Sequence, residues 1–405
     1  SDPNRMLWMK GFPPTKEKTL SVTKGNYFSF PELRFSVNHM REFFPTKCVP
    51  SSVDSHYIIR KKIDKKIDNI EFIPWDSDTK ISWLESLYKN FTDGIIILHK
   101  GKIVYEKYFG GLSQNGIHAA MSISKSFTGL IGALLVTKKI LDDSKFIPYY
   151  IPELSRSCFA DATVRQVMDM TTSILFNENY NDPNSEIWKF SKAGNPFRDK
   201  NYSGPQNYYE FLTTLKKDPT YNHGERFGYR TVNTEVLGWV ISRVTGKSIA
   251  DLLSELIWIP LGAHFDGYYN IDPSGIAFAG GGLNLNLRDL CFFGEMLRNK
   301  GKLNSKRIIP KKTIEMITEN SNPKVFSYGN YPNLKGWGYS NMWWITNNEH
   351  KAFMARGVHG QALYIDPTAK MVIARFASNP LYSNKYIDPI SIPAYEAIAK
   401  YLLEK

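Results

Sequence analysis

Ala119-Ala-Met-Ser-Ile-Ser-Lys-Ser-Phe-Thr-Gly-Leu-Ile-Gly-Ala-Leu-Leu-Val136 holds the pattern on which the reading of this chain turns. Small residues lead into Ser122, and a strongly apolar run follows it. The run from Gly129 to Val136 predicts a buried helix, with Ser122 at its first turn. There a serine oxygen lies near unpaired backbone N–H groups and the positive end of the helix dipole. Lys125 stands three residues on and shares the same helix face. An ammonium in so apolar a setting loses proton affinity through desolvation. It has to fall about three units from its usual ~10.4 to act as a base near pH 7. The competing reading is structural: a helix-capping serine beside a lysine that snorkels to solvent.

Ser-x-x-Lys by itself separates nothing, because it also occurs at Ser21/Lys24, Ser77/Lys80, Ser86/Lys89 and Ser321/Lys324. Context separates them. Ser21, Ser77 and Ser321 sit in polar, loop-like surroundings, and Ser86 and Lys89 fall on an amphipathic helix over 80–90 with a solvated face.

Around this core segment the chain carries strand signals at both ends. Gly94–His99, the turn Lys100-Gly101 and Lys102–Phe109 read as a hairpin. Lys351–Arg356, Gln361–Ile365 and Lys370–Ala377 read as three more strands, and 392–404 as an amphipathic closing helix. Residues 1–70, punctuated by Pro13-Pro14, Pro31, Pro45 and Pro50 and rich in aromatics, read as a segment that wraps a core. The expectation is an α+β fold with an antiparallel sheet built from both chain ends and flanked by helices. Its parts are a wrapping segment over 1–70, a sheet lobe from 71–140 and 286–405, and a mostly helical lobe over 141–285.

The chain has 405 residues, 42% hydrophobic and 22% charged, so it can bury a full core without staples. Its net charge of +12 comes from Lys and Arg spread along the chain, and even the densest run, Arg60–Lys66, is broken by Asp64. A Lys-rich surface accounts for this, so no nucleic-acid partner is expected. No apolar run reaches the length of a membrane span. The three cysteines, Cys48, Cys158 and Cys291, form no CxxC pair and read as packing residues. The eight histidines are scattered; His118 and His223 lack a His partner at ligand spacing, and His99 reads as a solvated turn residue. Neither a metal nor a cofactor is expected. The chain opens at Ser1 without methionine, as a chain trimmed of a leader or carrying a tag remnant does. The compartment is unread, with a lean to the extracytoplasmic side.

Two further segments carry chemistry. Gly224-Glu-Arg-Phe-Gly-Tyr229-Arg-Thr231 leads through a glycine-bearing turn into a helix. The Tyr229 phenol can relay the serine proton if a nearby ammonium lowers its pKa; otherwise it is a packing tyrosine. Ala355-Arg356-Gly357-Val358-His359-Gly360-Gln361-Ala362 enters a strand, where glycines let the backbone approach a ligand and an edge N–H completes an oxyanion hole, or simply form a bulge.

In this order the three segments resemble the penicillin-recognising serine hydrolase superfamily, whose signature is Ser-x-x-Lys, a Tyr-x-Asn-type motif, and Lys-Thr-Gly or His-x-Gly on a strand. The chain is most similar to its class C β-lactamase-like branch of 6-aminohexanoate-dimer hydrolases and carboxylesterases. Trp8–Pro14, Met168–Thr172, Phe176–Glu186 and Gly280–Asp289 support the likeness. The resemblance implies a β-lactamase/transpeptidase-like fold and hydrolysis of a small-molecule amide or ester through an acyl-enzyme. It makes Ser122 the nucleophile, Lys125 its base and Tyr229 the proton shuttle. The N–H groups of Ser122 and Gln361 become the oxyanion hole, and Tyr180 a tyrosine closing over substrate, its alternative being an exposed loop aromatic. His359 and Gly360 stand at the substrate edge, unless His359, at the middle position, points elsewhere; Trp343 or Trp344 lines the wall, the alternative for either being core packing. Two departures matter: Tyr229-Arg-Thr231 replaces Tyr-x-Asn, and Val358-His359-Gly360 replaces Lys-Thr-Gly, removing the lysine that would hold a β-lactam carboxylate. A D-amino-acid peptidase, a penicillin-binding protein, a weak β-lactamase or a silent binding protein on the same fold are the alternatives.

Overall fold

A computed structural model describes residues 2–405; Ser1, and with it the question of a trimmed start, lies outside the described residues. The hairpin forms as its pattern predicts, with strands Thr92–His99 and Lys102–Tyr108 turning through Lys100 and Gly101, both at positive φ. Its first strand is buried throughout, consistent with an interior place, paired on both sides, in a seven-stranded antiparallel sheet. The sheet runs in the order Gly338–Ser340, Trp343–Ile345, Phe353–Gly357, Gln361–Asp366, Met371–Ala377, Thr92–His99, Lys102–Tyr108. Met371–Ala377 joins the two chain ends, pairing Ile373 with Ile97 and with Tyr364. The helices Leu287–Arg298 and Asp388–Leu403 pack against this sheet. The short strands Gly338–Ser340 and Trp343–Ile345 lie beyond the strands expected from the sequence.

A second sheet is also absent from the sequence-based expectation. Thr46–Val49 of the wrapping segment pairs with Gly267–Asn270, which pairs with Leu283–Asn286, which pairs with Ile117–Ala119. Strands of three or four residues show too little alternation to register as a period. This sheet ends at Ala119, three residues before Ser122, and so anchors the approach to that serine.

The predicted buried helix spans Ile123–Thr137, and its residues from Ile123 to Leu135 are buried. Gly129 lets it press against the turn between the two short strands. A Cβ there would stand 2.0 Å from the Asn341 carbonyl oxygen, so any side chain would force the layers apart. The helices Val164–Met168 and Thr231–Thr245 pack beside it.

Three expectations need correction. Cys48 is exposed beside Asp266, while Cys158 and Cys291 are buried. His99 is buried rather than solvated, and burial lowers its pKa to about 4. Ser86 is buried and donates to the Trp83 carbonyl, so only Lys89 of that pair faces solvent. No helix among the described residues is long and apolar enough to cross a membrane.

Candidate active site

Ser122 stands at the N-cap of the buried helix, immediately after Met121, which holds φ at 49°. A non-glycine residue in left-handed space costs free energy and persists only where its surroundings enforce it. The Ser122 side chain makes no capping bond to the helix. Its Oγ lies 2.9 Å from Lys125 Nζ instead. This disposes of the capping alternative, because the hydroxyl is turned to the amine.

The lysine does not snorkel. Lys125 is 1% exposed, whereas Lys24, Lys80, Lys89 and Lys324 of the other Ser-x-x-Lys matches are all exposed. Its Nζ donates a second bond, 2.6 Å, to the Gly280 carbonyl. Burial lowers its pKa to about 8, against the opposing pull of the Glu178 and Glu235 carboxylates. Glu235, on the helix Thr231–Thr245, fixes the Gly280 carbonyl from behind. Its carboxylate accepts the Gly280 N–H at 2.7 Å and the Ala279 N–H at 3.2 Å. Burial also raises the Glu235 pKa, to about 8.

Tyr229 enters from the loop before that helix. Its ring centroid is 5.1 Å from Lys125 Nζ and 5.5 Å from the Trp344 ring. The sequence reading needs an ammonium to lower the phenol pKa. The opposite holds: burial, reinforced by Glu178, raises it well above 10, and a hydrogen bond with Ser122 only partly offsets this. The phenol therefore keeps its proton at neutral pH.

The segment Gly357–Gln361 departs most from expectation. Gly357 packs so closely that a Cβ would lie 2.9 Å from the Ala120 carbonyl oxygen, bringing the end of its strand against the nucleophile. Val358 then borders both cavities that open at Ser122. His359 (φ 62°) and Gly360 (φ 97°) turn the chain away. The His359 ring is bound through Nδ1 to the Asn379 carbonyl at 2.7 Å and meets Phe28 edge-on, and burial lowers its pKa to about 4. It is thus a neutral packing histidine facing away from the cavities. The Gly360 carbonyl accepts from Arg375, and the Gln361 side chain is held between Val358 and Ala377. Neither Gly360 nor Gln361 borders a cavity.

Tyr180 borders both cavities, packs at 5.0 Å from Tyr382 and donates to Glu178 at 3.2 Å, so it is no loose loop aromatic. Trp344 lines the larger cavity, while Trp343 is core. Sequence reasoning missed Glu178, which accepts the Thr231 N–H at 2.6 Å and ties the Tyr180 loop to the Tyr229 loop. Its signal was an acidic residue two before Tyr180. Val358, Arg230 and Arg356 were also missed: they stand inside the two quoted segments, but neither motif gives those positions a role.

Ser122 thus lies where two cavities meet. One is small, about 170 Å³, and mostly aromatic and aliphatic; the other is larger, about 660 Å³, and carries Tyr229, Trp344 and several charged groups. Among the described residues no cluster of His, Cys, Asp or Glu is placed to hold a metal ion.

Comparison with known proteins agrees with this arrangement. Residues 85–385 match the Beta-lactamase family. A 6-aminohexanoate-dimer hydrolase of Paenarthrobacter ureafaciens is 33% identical over 304 residues, 75% of this chain and 76% of that protein. A Bacillus anthracis structure provisionally named a 6-aminohexanoate-dimer hydrolase superposes with a TM-score of 0.86 at 34% identity, over 96% of this chain and 99% of that one. A family VIII carboxylesterase shares the fold at 18% identity and a TM-score of 0.57, over 78% of this chain and 96% of that one. Motif order, fold and extended sequence similarity converge, and the chain belongs to the Beta-lactamase family of serine hydrolases.

Proposed function

We propose that the protein cleaves a small amide or carboxylic ester through an acyl-enzyme on Ser122. The observation that carries this reading is the 2.9 Å approach of a fully buried lysine amine to a serine oxygen that caps nothing. With its pKa lowered to about 8, Lys125 holds a usable fraction of free amine near neutrality. The free amine takes the hydroxyl proton as Ser122 Oγ attacks the carbonyl carbon.

Two backbone N–H groups then face the oxyanion: that of Ser122 at the helix start, and that of Val358 in place of Gln361. Each such donor is worth about 10²–10³-fold. Tyr229, a phenol that keeps its proton, supplies it to the departing nitrogen or oxygen and recovers it from Lys125. Water activated by the same pair releases the acyl group. Tyr180 and Glu178 close the cleft over the substrate. His359, neutral and turned away, does not replace the lysine of Lys-Thr-Gly, so this strand end offers no cation at that position for a β-lactam carboxylate.

Ser122→Ala is the test. Turnover of p-nitrophenyl esters and labelling by a serine-reactive phosphonate should both vanish; turnover that survives removes the assignment.

A further inference from the structure

We propose that the preferred substrate is an N-acyl amino acid, with an uncharged acyl chain of about six carbons in the small cavity and a free carboxylate on the leaving group in the large one. This rests on the acyl-enzyme reading and names the substrate class of that site.

The direction of the substrate follows from Tyr229. The leaving nitrogen must lie beside the phenol that protonates it, and Tyr229 borders only the large cavity. The acyl chain must therefore extend the other way. The small cavity is walled by side chains such as Val22, Phe28, Phe44, Ile187 and Phe278, three of them from the wrapping segment. No Asp or Glu lines it, so a charged amine at the chain end would be buried without a counter-charge. Its volume of about 170 Å³ sets the chain length, since a dry cavity of about 150 Å³ holds one benzene.

The large cavity has the opposite character. Arg230, Arg356 and Lys385 face Glu178 and Asp388 across it. Glu178 is taken up by Thr231 and Tyr180, and Asp388 by Arg356 Nη2. Arg356 is 4% exposed and sits 4.8 Å over the Trp344 ring, yet its Nη1 has no hydrogen-bond partner; Arg230 Nε has none either. A cationic guanidinium that borders a cavity, with an N–H its own chain leaves unpaired, favours a carboxylate there.

The reaction is hydrolysis. The amide C–N bond breaks as the Ser122 ester forms, the nitrogen leaves with a proton from Tyr229, and water then yields the fatty acid and the free amino acid.

The test uses N-hexanoyl glycine, N-hexanoyl 4-aminobutyrate and N-hexanoyl 6-aminohexanoate. The best of the three is compared with its carboxamide and with its analogue bearing an amine at the acyl end. Binding is measured calorimetrically on Ser122→Ala, and kcat/KM on the unaltered enzyme. The carboxylate compound should bind about ten- to a hundredfold more tightly than the carboxamide, the scale of one charge-assisted hydrogen bond. It should exceed the amine-bearing analogue at least tenfold. The double variant Arg356→Gln/Asp388→Asn, which strands no carboxylate, should erase the first difference. Val22→Trp should lower the hexanoyl-to-acetyl ratio of kcat/KM at least tenfold. Equal or better binding of the carboxamide or the amine-bearing analogue overturns the proposal. So does failure of all three to bind while p-nitrophenyl acetate is still cleaved in a Ser122-dependent manner, an outcome that leaves the hydrolase reading intact. Ester cleavage that persists in Ser122→Ala brings both down.

Discussion

The floor and the side wall of the cleft present two proton-handling groups to one serine oxygen, and burial acts on them in opposite directions. On the floor, the buried helix and the Ala279-Gly280 turn enclose Lys125 and lower its pKa to about 8. On the wall, the Tyr229 phenol packs against Trp344 and Tyr339, and its pKa rises. Desolvation favours the neutral form of both. A neutral amine is a base and a neutral phenol is an acid, so a single physical cause yields a complementary pair.

Replacing the floor group should have the largest effect. Lys125→Met should lower kcat/KM for every substrate by about 10³-fold or more, within the upper range for a positioned base. Measured on p-nitrophenyl esters and amides alike, an unequal loss would break the assignment of Lys125 to the attack step.

The wall group should discriminate between substrates. Tyr229→Phe should slow amide cleavage by about 10²-fold, because an amine leaves only when protonated. p-Nitrophenyl esters, whose leaving group departs as a stable anion, should lose less than tenfold. Equal losses on both would mean that the phenol serves attack as well as departure.

The pH profile tests the floor alone. With a Lys125 pKa of about 8, only the deprotonated fraction is active. kcat/KM should rise about tenfold per pH unit up to pH 8 and level off above it. A profile falling as pH rises through 8 would reverse the assigned protonation state. The smallest effect belongs to Glu235: burial raises its own pKa to about 8, so only its ionised fraction raises the Lys125 pKa. Glu235→Gln should move the alkaline-rising limb to lower pH by less than one unit. A shift upward would mean that loosening the Gly280 carbonyl outweighs the lost charge.

How far the sequence could be read depended on distance along the chain. Ser122, Lys125 and the apolar run behind them lie within one helix, and helical geometry alone puts the amine beside the hydroxyl. The hairpin at 92–108 and the strand pair at 361–377 were equally legible, since alternation and turn residues are local. The second sheet was not, because its four strands are short and come from four distant parts of the chain. The turn at 357–361 was misread for a related reason. Motif position made Gln361 and His359 the residues of interest, but two successive positive φ values turn them away and leave Val358 at the edge.

By itself the sequence determined the fold class, the family and the pairing of Ser122 with its neighbouring amine, because those follow from patterns spanning a few residues. The proposed direction of each proton, the proposed oxyanion donor and the proposed contents of each cavity rest on the tertiary structure alone. These depend on desolvation and on contacts between residues far apart in the chain. Glu178 beside Thr231, Gly280 beside Lys125 and Arg356 beside Asp388 are examples, and no local pattern encodes them.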